Sequence, residues 1–112
     1  MASPDEIWLV DFGDPFPGAP AHHRPAVVVG PAAIFGDGLP FVVVVPCTST
    51  ARQLSFHVEI PATPVSGLDE SSYAQCEMIR SISKKRLRHR LGHATLDEAR
   101  QIATIIQRLL GH

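Results

Sequence analysis

An arginine and two hydroxyl side chains stand at the ends of two valine-rich segments, and these residue types can bind phosphate. Arg24 opens "RPAVVVG", while Thr48 and Ser49 close "FVVVVPCTS". A guanidinium donates charge-assisted hydrogen bonds to a phosphate or another oxyanion, and a hydroxyl can donate a further one. If the two segments form an antiparallel pair, the start of the first strand lies opposite the end of the second.

The spacing of the two segments supports this pairing. The turn between them is centred near position 37, which lies 13 residues after Arg24 and 11 residues before Thr48. A hairpin therefore brings Arg24 beside Thr48 with a small offset. Two interpretations remain open at this point. The pair could form an oxyanion or phosphate site, or Arg24 could pair with Asp14 or Glu59 while Thr48 bonds to the backbone.

Other reactive side chains give weaker signals. His22 and His23 directly precede Arg24, and neighbours on an extended chain point to opposite sides, so we expect them to be poor partners for one metal ion and predict no metal site. Cys47 and Cys76 are expected to be reduced, buried thiols, as is usual for two cysteines in a chain without an export signal. Cys47 is expected to be a core residue and not a nucleophile, because nothing local supplies a base. The sequence has no glycine-rich phosphate loop, nucleophile elbow or paired CxxC motif.

Short strands and turns are predicted for most of the chain. All ten prolines lie in the first 64 residues. A loop is predicted at 14–23, a turn at 35–40, and a single helical turn after Ser83, which would cap it. Strands are predicted from valine-rich runs and from alternation of apolar and polar residues, at 6–13, 24–30, 41–49, 56–62, 72–83 and 88–94.

The end of the chain predicts an amphipathic helix. Thr95 and Glu98 have the spacing of a capping box, and Gly111 would stop the helix. Apolar residues recur at helical spacing between them, at Ala99, Ile102, Ala103, Ile106, Leu109 and Leu110. Strands followed by one helix indicate an α+β protein, mainly β, in which a small antiparallel barrel or curled sheet is covered by the helix, as one domain over 1–112.

Composition and charge narrow the function class. The 112 residues are 45% hydrophobic with a net charge of −1, and no apolar run approaches the roughly 20 residues of a membrane span. We expect a cytoplasmic protein with no membrane association, since the N-terminus resembles no secretory signal. Residues 1–79 carry nine acids and two bases, whereas residues 80–112 carry two acids and eight bases. This basic end is either a solvated face or a phosphate-binding surface.

Five segments in order resemble the PemK/MazF-like toxins of bacterial toxin–antitoxin systems. They are "IWLVDFGDP", "HRPAVVV", "VVVVPCTST", "FHVEI" and "SYAQCEMIRSISKKRL", and with the C-terminal helix they span nearly the whole chain. The resemblance implies an SH3-like barrel, a homodimer and a cognate antitoxin partner. It also implies an endoribonuclease that cleaves single-stranded RNA, usually mRNA, with no metal ion or other cofactor.

The same resemblance implies the roles of individual residues. Arg24, in "HRP", and Thr48, in "PCTST", would be the catalytic pair, with the substrate's own 2′-hydroxyl as nucleophile. A guanidinium stays protonated, so Arg24 suits phosphate stabilisation better than base catalysis. Histidine titrates in the right range, so His22 or His23 could be the base. The candidate RNA-binding residues are His22, His23, Ser49, Arg52, Arg80 and Lys84.

One departure from the family leaves alternatives open. Family members often carry Glu-Gln and a glycine before the arginine, whereas this chain has Ala19, Pro20 and His22 in that loop. The alternatives are a catalytically inactive or RNA- or protein-binding member of the fold, or a gyrase-directed poison. The intact "HRP" and "PCTST" elements argue against the gyrase-directed poison, whereas the loop departure keeps the inactive or binding member open.

Overall fold

A computed structural model of the protein describes residues 2–13, 22–30 and 38–112. Within these ranges the chain forms seven β-strands and one α-helix. The strands are β1 (Glu6–Asp11), β2 (His23–Val29), β3 (Phe41–Thr48), β4 (His57–Ile60), β5 (Ser72–Gln75), β6 (Arg80–Ser83) and β7 (Leu87–His93), and the helix is α1 (Leu96–Leu109). Most of the predicted loop at 14–23 and the first half of the predicted turn at 35–40 fall outside the described residues. No helix in the described part of the chain is long and apolar enough to cross a membrane.

All strand pairings are antiparallel, and β3 pairs with three other strands, β2, β5 and β6. The strand order is β4-β5-β3-β2-β1-β7, with β6 paired to β3 beside β5. One edge of β3 pairs with β2. The other edge pairs with β6 over 41–44 and with β5 at Cys47 and Thr48. The predicted fold, a mainly β antiparallel structure with one C-terminal helix, is confirmed.

The valine runs are continuous because β2 and β3 are covered on both faces. Val27 and Val45 belong to one apolar cluster, which includes Ile102 of α1. Their neighbours Val28 and Val44 belong to a second cluster on the opposite face. Successive side chains of a strand point to opposite faces, so a strand buried on both sides needs apolar residues at every position.

The predicted helix and its capping box are confirmed. The Thr95 hydroxyl accepts from the Glu98 N–H at 3.1 Å, and the Glu98 carboxylate accepts from the Thr95 N–H at 2.8 Å. Ile102 is fully buried beneath the helix. Gly111 follows with φ of 82°, a conformation that favours glycine.

The prediction of one continuous strand over 72–83 is wrong. The chain forms β5, then a 3₁₀ turn at Cys76–Met78, then β6. The break occurs because β5 and β6 pair with different parts of β3, and β5 also pairs with β4. In place of alternation, Ala74, Gln75 and Cys76 are buried in succession. The predicted helical turn after Ser83 is confirmed as a 3₁₀ turn, and the Ser83 hydroxyl accepts from the Lys85 N–H at 3.2 Å.

The loop over 61–71 packs tightly on β7. The Ser66 hydroxyl donates to the Pro61 carbonyl at 2.8 Å, and the His93 N–H donates to the Val65 carbonyl at 3.0 Å. Gly67 and Gly92 allow this approach, because a Cβ at Gly92 would lie 2.2 Å from the Val65 carbonyl oxygen. Leu68 and Ser72 are buried on either side of the exposed Asp69 and Glu70. The backbone of this loop is therefore fixed on both sides of its two acidic residues.

Candidate active site

A cleft of about 410 Å³ lies where β2 begins and β3 ends, and we call it the strand-end cleft. Its polar lining residues come from two sources. The strand ends contribute His23, Arg24, Thr48 and Ser49, and the 61–71 loop and the start of β5 contribute Asp69, Glu70 and Ser72.

The register of β2 and β3 explains why Arg24 and Thr48 share this cleft. The ladder pairs Ala26 with Pro46, and the same register continued by two residues puts Arg24 opposite Thr48. Arg24 is half-buried and Thr48 is 5% exposed. The two residues therefore meet at the strand ends, as the spacing predicts.

A side chain behind the cleft holds the Arg24 guanidinium. Arg24 Nη1 donates to Gln75 Oε1 at 3.2 Å, and Gln75 is buried and does not line the cleft. The amide is neutral, so the guanidinium is oriented without its charge being cancelled. The alternative partner Glu59 is exposed, and none of the described carboxylates forms an ion pair with Arg24. Asp14, the other alternative, lies outside the described residues.

The sequence did not predict that Gln75 contacts Arg24, because the position of Gln75 depends on the break after β5. The next residues form the 3₁₀ turn, whose Glu77 carboxylate lies 3.0 Å from His57 Nε2 on β4. This contact fixes the turn against the neighbouring strand. The available signal was a polar residue between Ala74 and Cys76, two residue types that are often buried.

Thr48 bonds to the backbone and can still donate. Its Oγ1 accepts from the Thr50 N–H at 3.2 Å, as one of the sequence interpretations expected. A hydroxyl that accepts one hydrogen bond keeps its own proton to donate. Thr48 can therefore donate to an oxyanion in the cleft while its rotamer is held by Thr50.

The two cysteines are confirmed as buried, free thiols. Burial raises the pKa of Cys47 to about 12 and that of Cys76 to about 11. Both thiols are protonated at neutral pH, and a protonated thiol is a poor nucleophile. Although Cys47 borders the cleft, it serves the core.

The expectation that His22 and His23 diverge is wrong. His22 precedes β2 in a bend, so the alternation of an extended strand does not apply to it. The two rings meet edge to face with centroids 4.5 Å apart. One nitrogen of each ring and one carboxylate oxygen of Asp11 all lie within 4.8 Å of one another.

None of the basic residues at 80–90 lines the cleft, and two of them, Arg88 and Arg90, lie on β7 and pair with acids of β1. Arg88 Nη2 lies 3.1 Å from Asp11 Oδ2, and Arg90 Nε lies 2.7 Å from Glu6 Oε2. The Gly13 N–H and the Arg88 guanidinium lower the pKa of the Asp11 carboxyl. Of the predicted RNA-binding residues, His23 and Ser49 line the cleft, whereas His22, Arg52, Arg80 and Lys84 do not.

Asp69 and Glu70 were not predicted as site residues. Their segment, "SGLDES", has the composition of an ordinary loop, and only its packing on β7 brings it to the cleft. The cleft therefore combines a cationic side with an acidic side.

Residues 3–110 match the family described as PemK-like, MazF-like toxins of type II toxin–antitoxin systems. The chain belongs to this family. The toxin is 40% identical over 105 residues to Endoribonuclease MazF9 of Mycobacterium tuberculosis (strain ATCC 25618 / H37Rv). The aligned region covers 87% of this chain and 86% of that protein. The family resemblance read from the sequence is confirmed.

Solved structures share the fold of the toxin. MazF from Deinococcus radiodurans superposes with a TM-score of 0.85 at 24% identity, over 99% of this chain and 97% of that chain. A chain of a MazE–MazF structure from the same organism matches with a TM-score of 0.75 at 25% identity, over 98% and 95% of the two chains.

Proposed function

We propose that this toxin is an endoribonuclease that cleaves single-stranded RNA, with Arg24 and Thr48 as its catalytic residues and no metal ion in the reaction. The observation that carries the proposal is the meeting of a guanidinium and a nearly buried hydroxyl in one open cleft. The 40% identical relative named as an endoribonuclease supports the same activity. The mRNA that such toxins usually cut is the proposed substrate class.

The proposed reaction uses the RNA's own 2′-hydroxyl as nucleophile. A base removes the 2′-hydroxyl proton, the 2′-oxygen bonds to the adjacent phosphorus, and the bond from phosphorus to the 5′-oxygen breaks. The 5′-oxygen takes up a proton, which leaves a 2′,3′-cyclic phosphate and a 5′-hydroxyl end. Negative charge grows on the phosphate oxygens, so Arg24 and Thr48 act by donating hydrogen bonds to them.

His23 is the proposed base. Of the two histidines considered, His23 lines the cleft and His22 does not. A neutral imidazole can accept the 2′-hydroxyl proton near neutral pH, which a guanidinium cannot. Ser49 and the more distant Arg52, Arg80 and Lys84 are proposed to contact RNA on either side of the cut.

The test is cleavage of a mixed-sequence single-stranded RNA in excess chelator. Arg24→Ala and Thr48→Ala should each lower kcat by about 100-fold or more, the usual cost of a lost transition-state donor. Arg100→Ala and Thr104→Ala, on the exposed face of α1, are matched controls that should retain activity. His23→Ala should also be impaired and be partly rescued by free imidazole. A folded wild-type protein that cuts no RNA would exclude the nuclease and favour a binding role.

A cytoplasmic homodimer and a cognate antitoxin are proposed with this activity. Solved relatives include an endoribonuclease in complex with its cognate antitoxin from mycobacterial species, at 22% identity. Leu109 and Leu110 are exposed at the end of α1, which supports a role for the helix in dimerisation. Sedimentation should give twice the 12.1 kDa chain mass, and a monomer at micromolar concentration would contradict it. An acidic antitoxin segment is proposed to occupy the cleft, so it should compete with RNA for binding.

A further inference from the structure

Asp11, His22 and His23 form a compact group of potential metal ligands at one end of the β1–β2 pair. Asp11 and His23 are direct partners in the ladder, and His22 immediately precedes β2. One oxygen and two nitrogens lie within 4.8 Å of one another, and no other such group occurs among the described residues. From this arrangement we propose that Asp11, His22 and His23 bind one divalent first-row transition-metal ion, with Zn²⁺ as the physiological candidate.

The donor set selects this class of ion. Two imidazoles and one carboxylate suit Zn²⁺ and its neighbours, whereas Mg²⁺ and Ca²⁺ prefer oxygen ligands alone. Three protein ligands leave a coordination position for water, as in open zinc sites. Ligand atoms around a tetrahedral Zn²⁺ are roughly 3.3 Å apart, given bond lengths of about 2.0–2.1 Å. Both histidines are exposed, so small rotations of their rings can close the present spacing.

Neighbouring groups orient the carboxylate. Asp11 Oδ1 accepts from the Gly13 N–H at 2.8 Å and faces His22 Nδ1 at 3.5 Å. Asp11 Oδ2 is held by Arg88 at 3.1 Å. Hydrogen bonds of this kind fix the ligand atoms of metal sites. The nearby guanidinium charge opposes the ion, so we expect weaker affinity than in a structural zinc site.

The Nδ1 atom of His22 must give up its present hydrogen bond if it is to bind the ion. That nitrogen lies 3.0 Å from the Gly13 carbonyl oxygen, to which only a protonated nitrogen can donate. Coordination through Nδ1 would break this hydrogen bond, whereas coordination through Nε2 would keep it. The backbone bond then acts as the partner that commonly supports a metal-binding histidine.

The position of this group gives it a consequence for activity. His23 also lines the strand-end cleft, so a bound ion occupies a ring nitrogen of the proposed base and adds positive charge at the rim. Zn²⁺ would therefore inhibit RNA cleavage reversibly. This consequence rests on the proposed function, whereas metal binding itself does not.

The test is a Zn²⁺ titration of the untagged protein against a chromophoric chelator of micromolar affinity. We expect one equivalent per chain, and at least a 10-fold loss of affinity in His22→Ala, His23→Ala and Asp11→Asn. His89→Ala and Glu59→Gln change an exposed histidine and an exposed carboxylate outside the group and should bind as wild type does. Thermal unfolding without metal checks that each variant is folded.

His22→Ala is the decisive variant, because it leaves the pair between Asp11 and Arg88 in place. Visible absorption bands of bound Co²⁺ should appear with wild type and be lost with this variant. Absence of stoichiometric binding, or equal affinity in the three ligand variants and wild type, would overturn the proposal. If the toxin binds Zn²⁺ through these residues and yet cuts no RNA, the metal site stands and the nuclease fails.

Discussion

At the scale of single residues, Arg24 depends on a partner that is hidden behind it. The offset between two valine runs was sufficient to predict that Arg24 and Thr48 meet. Gln75 could not be predicted in the same way, because its contact with Arg24 requires β5 to end there and the chain to turn. The partner links residues 51 positions apart, and local patterns carry no information about such a pair.

Replacing Gln75 should impair the chemical step more than RNA binding. Gln75→Leu keeps the volume and removes the acceptor at 3.2 Å from Arg24 Nη1, so the guanidinium loses its orientation. We expect kcat to fall by about 10- to 100-fold with little change in KM, since misplacement of a catalytic group by an ångström has effects of this order.

The control for this prediction is Gln101→Leu, an equivalent change on the exposed face of α1. Thermal unfolding should show that Gln75→Leu is folded at the assay temperature. A rise in KM at constant kcat would indicate that Gln75 supports RNA binding, and would contradict a positioning role.

The two thiols should be inert in the folded protein. Their pKa values are raised to about 12 and about 11, so the reactive thiolate is scarce at pH 8 and becomes abundant only at much higher pH. A disulfide thiol reagent should label neither cysteine in the native state and both after unfolding in denaturant. Rapid labelling of native Cys47 would show that the cleft exposes it.

At the scale of elements, the cleft depends on the 61–71 loop, which approaches β7 closely because Gly67 and Gly92 have no side chains. The sequence predicted the strands around the cleft because burial on both faces leaves continuous valine runs. It did not predict that the 61–71 loop forms a wall, because a loop's position is decided by packing and by hydrogen bonds such as those of Ser66. For the same reason, alternation over 72–83 did not reveal where the strand breaks.

Gly92→Ala should destabilise the toxin through this contact. Its Cβ would lie 2.2 Å from the Val65 carbonyl oxygen and 2.5 Å from Ser66 backbone atoms, so the loop must move. We expect the free energy of unfolding to fall by about 1–3 kcal/mol, as for other overpacked sites.

Urea unfolding followed by circular dichroism measures this change. Gly38→Ala is the control, since a Cβ there would have no atom of the described residues within 4 Å. Equal stability of the two variants would mean that the loop can move away from β7 without cost.

At the scale of the whole molecule, the separation of charge along the chain is partly undone by folding. Pairing of β1 with β7 puts Glu6 and Asp11 of the acidic part beside Arg90 and Arg88 of the basic part. From the sequence alone, the basic part at 80–112 could be either a solvated face or a phosphate-binding surface. Arg88 and Arg90 are exposed and paired with acids, as expected of a solvated face. Arg24, by contrast, lines the cleft and has a neutral partner.

The anchored loop also has a consequence for how such a toxin could diversify. Asp69 and Glu70 are exposed between two buried residues, and Ser72 Oγ donates to the Glu70 carbonyl at 3.2 Å. Their side chains can be exchanged while the backbone that carries them stays where it is. Substitutions at two adjacent codons, those of Asp69 and Glu70, can thus change the charge of the acidic side of the cleft without changing the strands that carry Arg24 and Thr48.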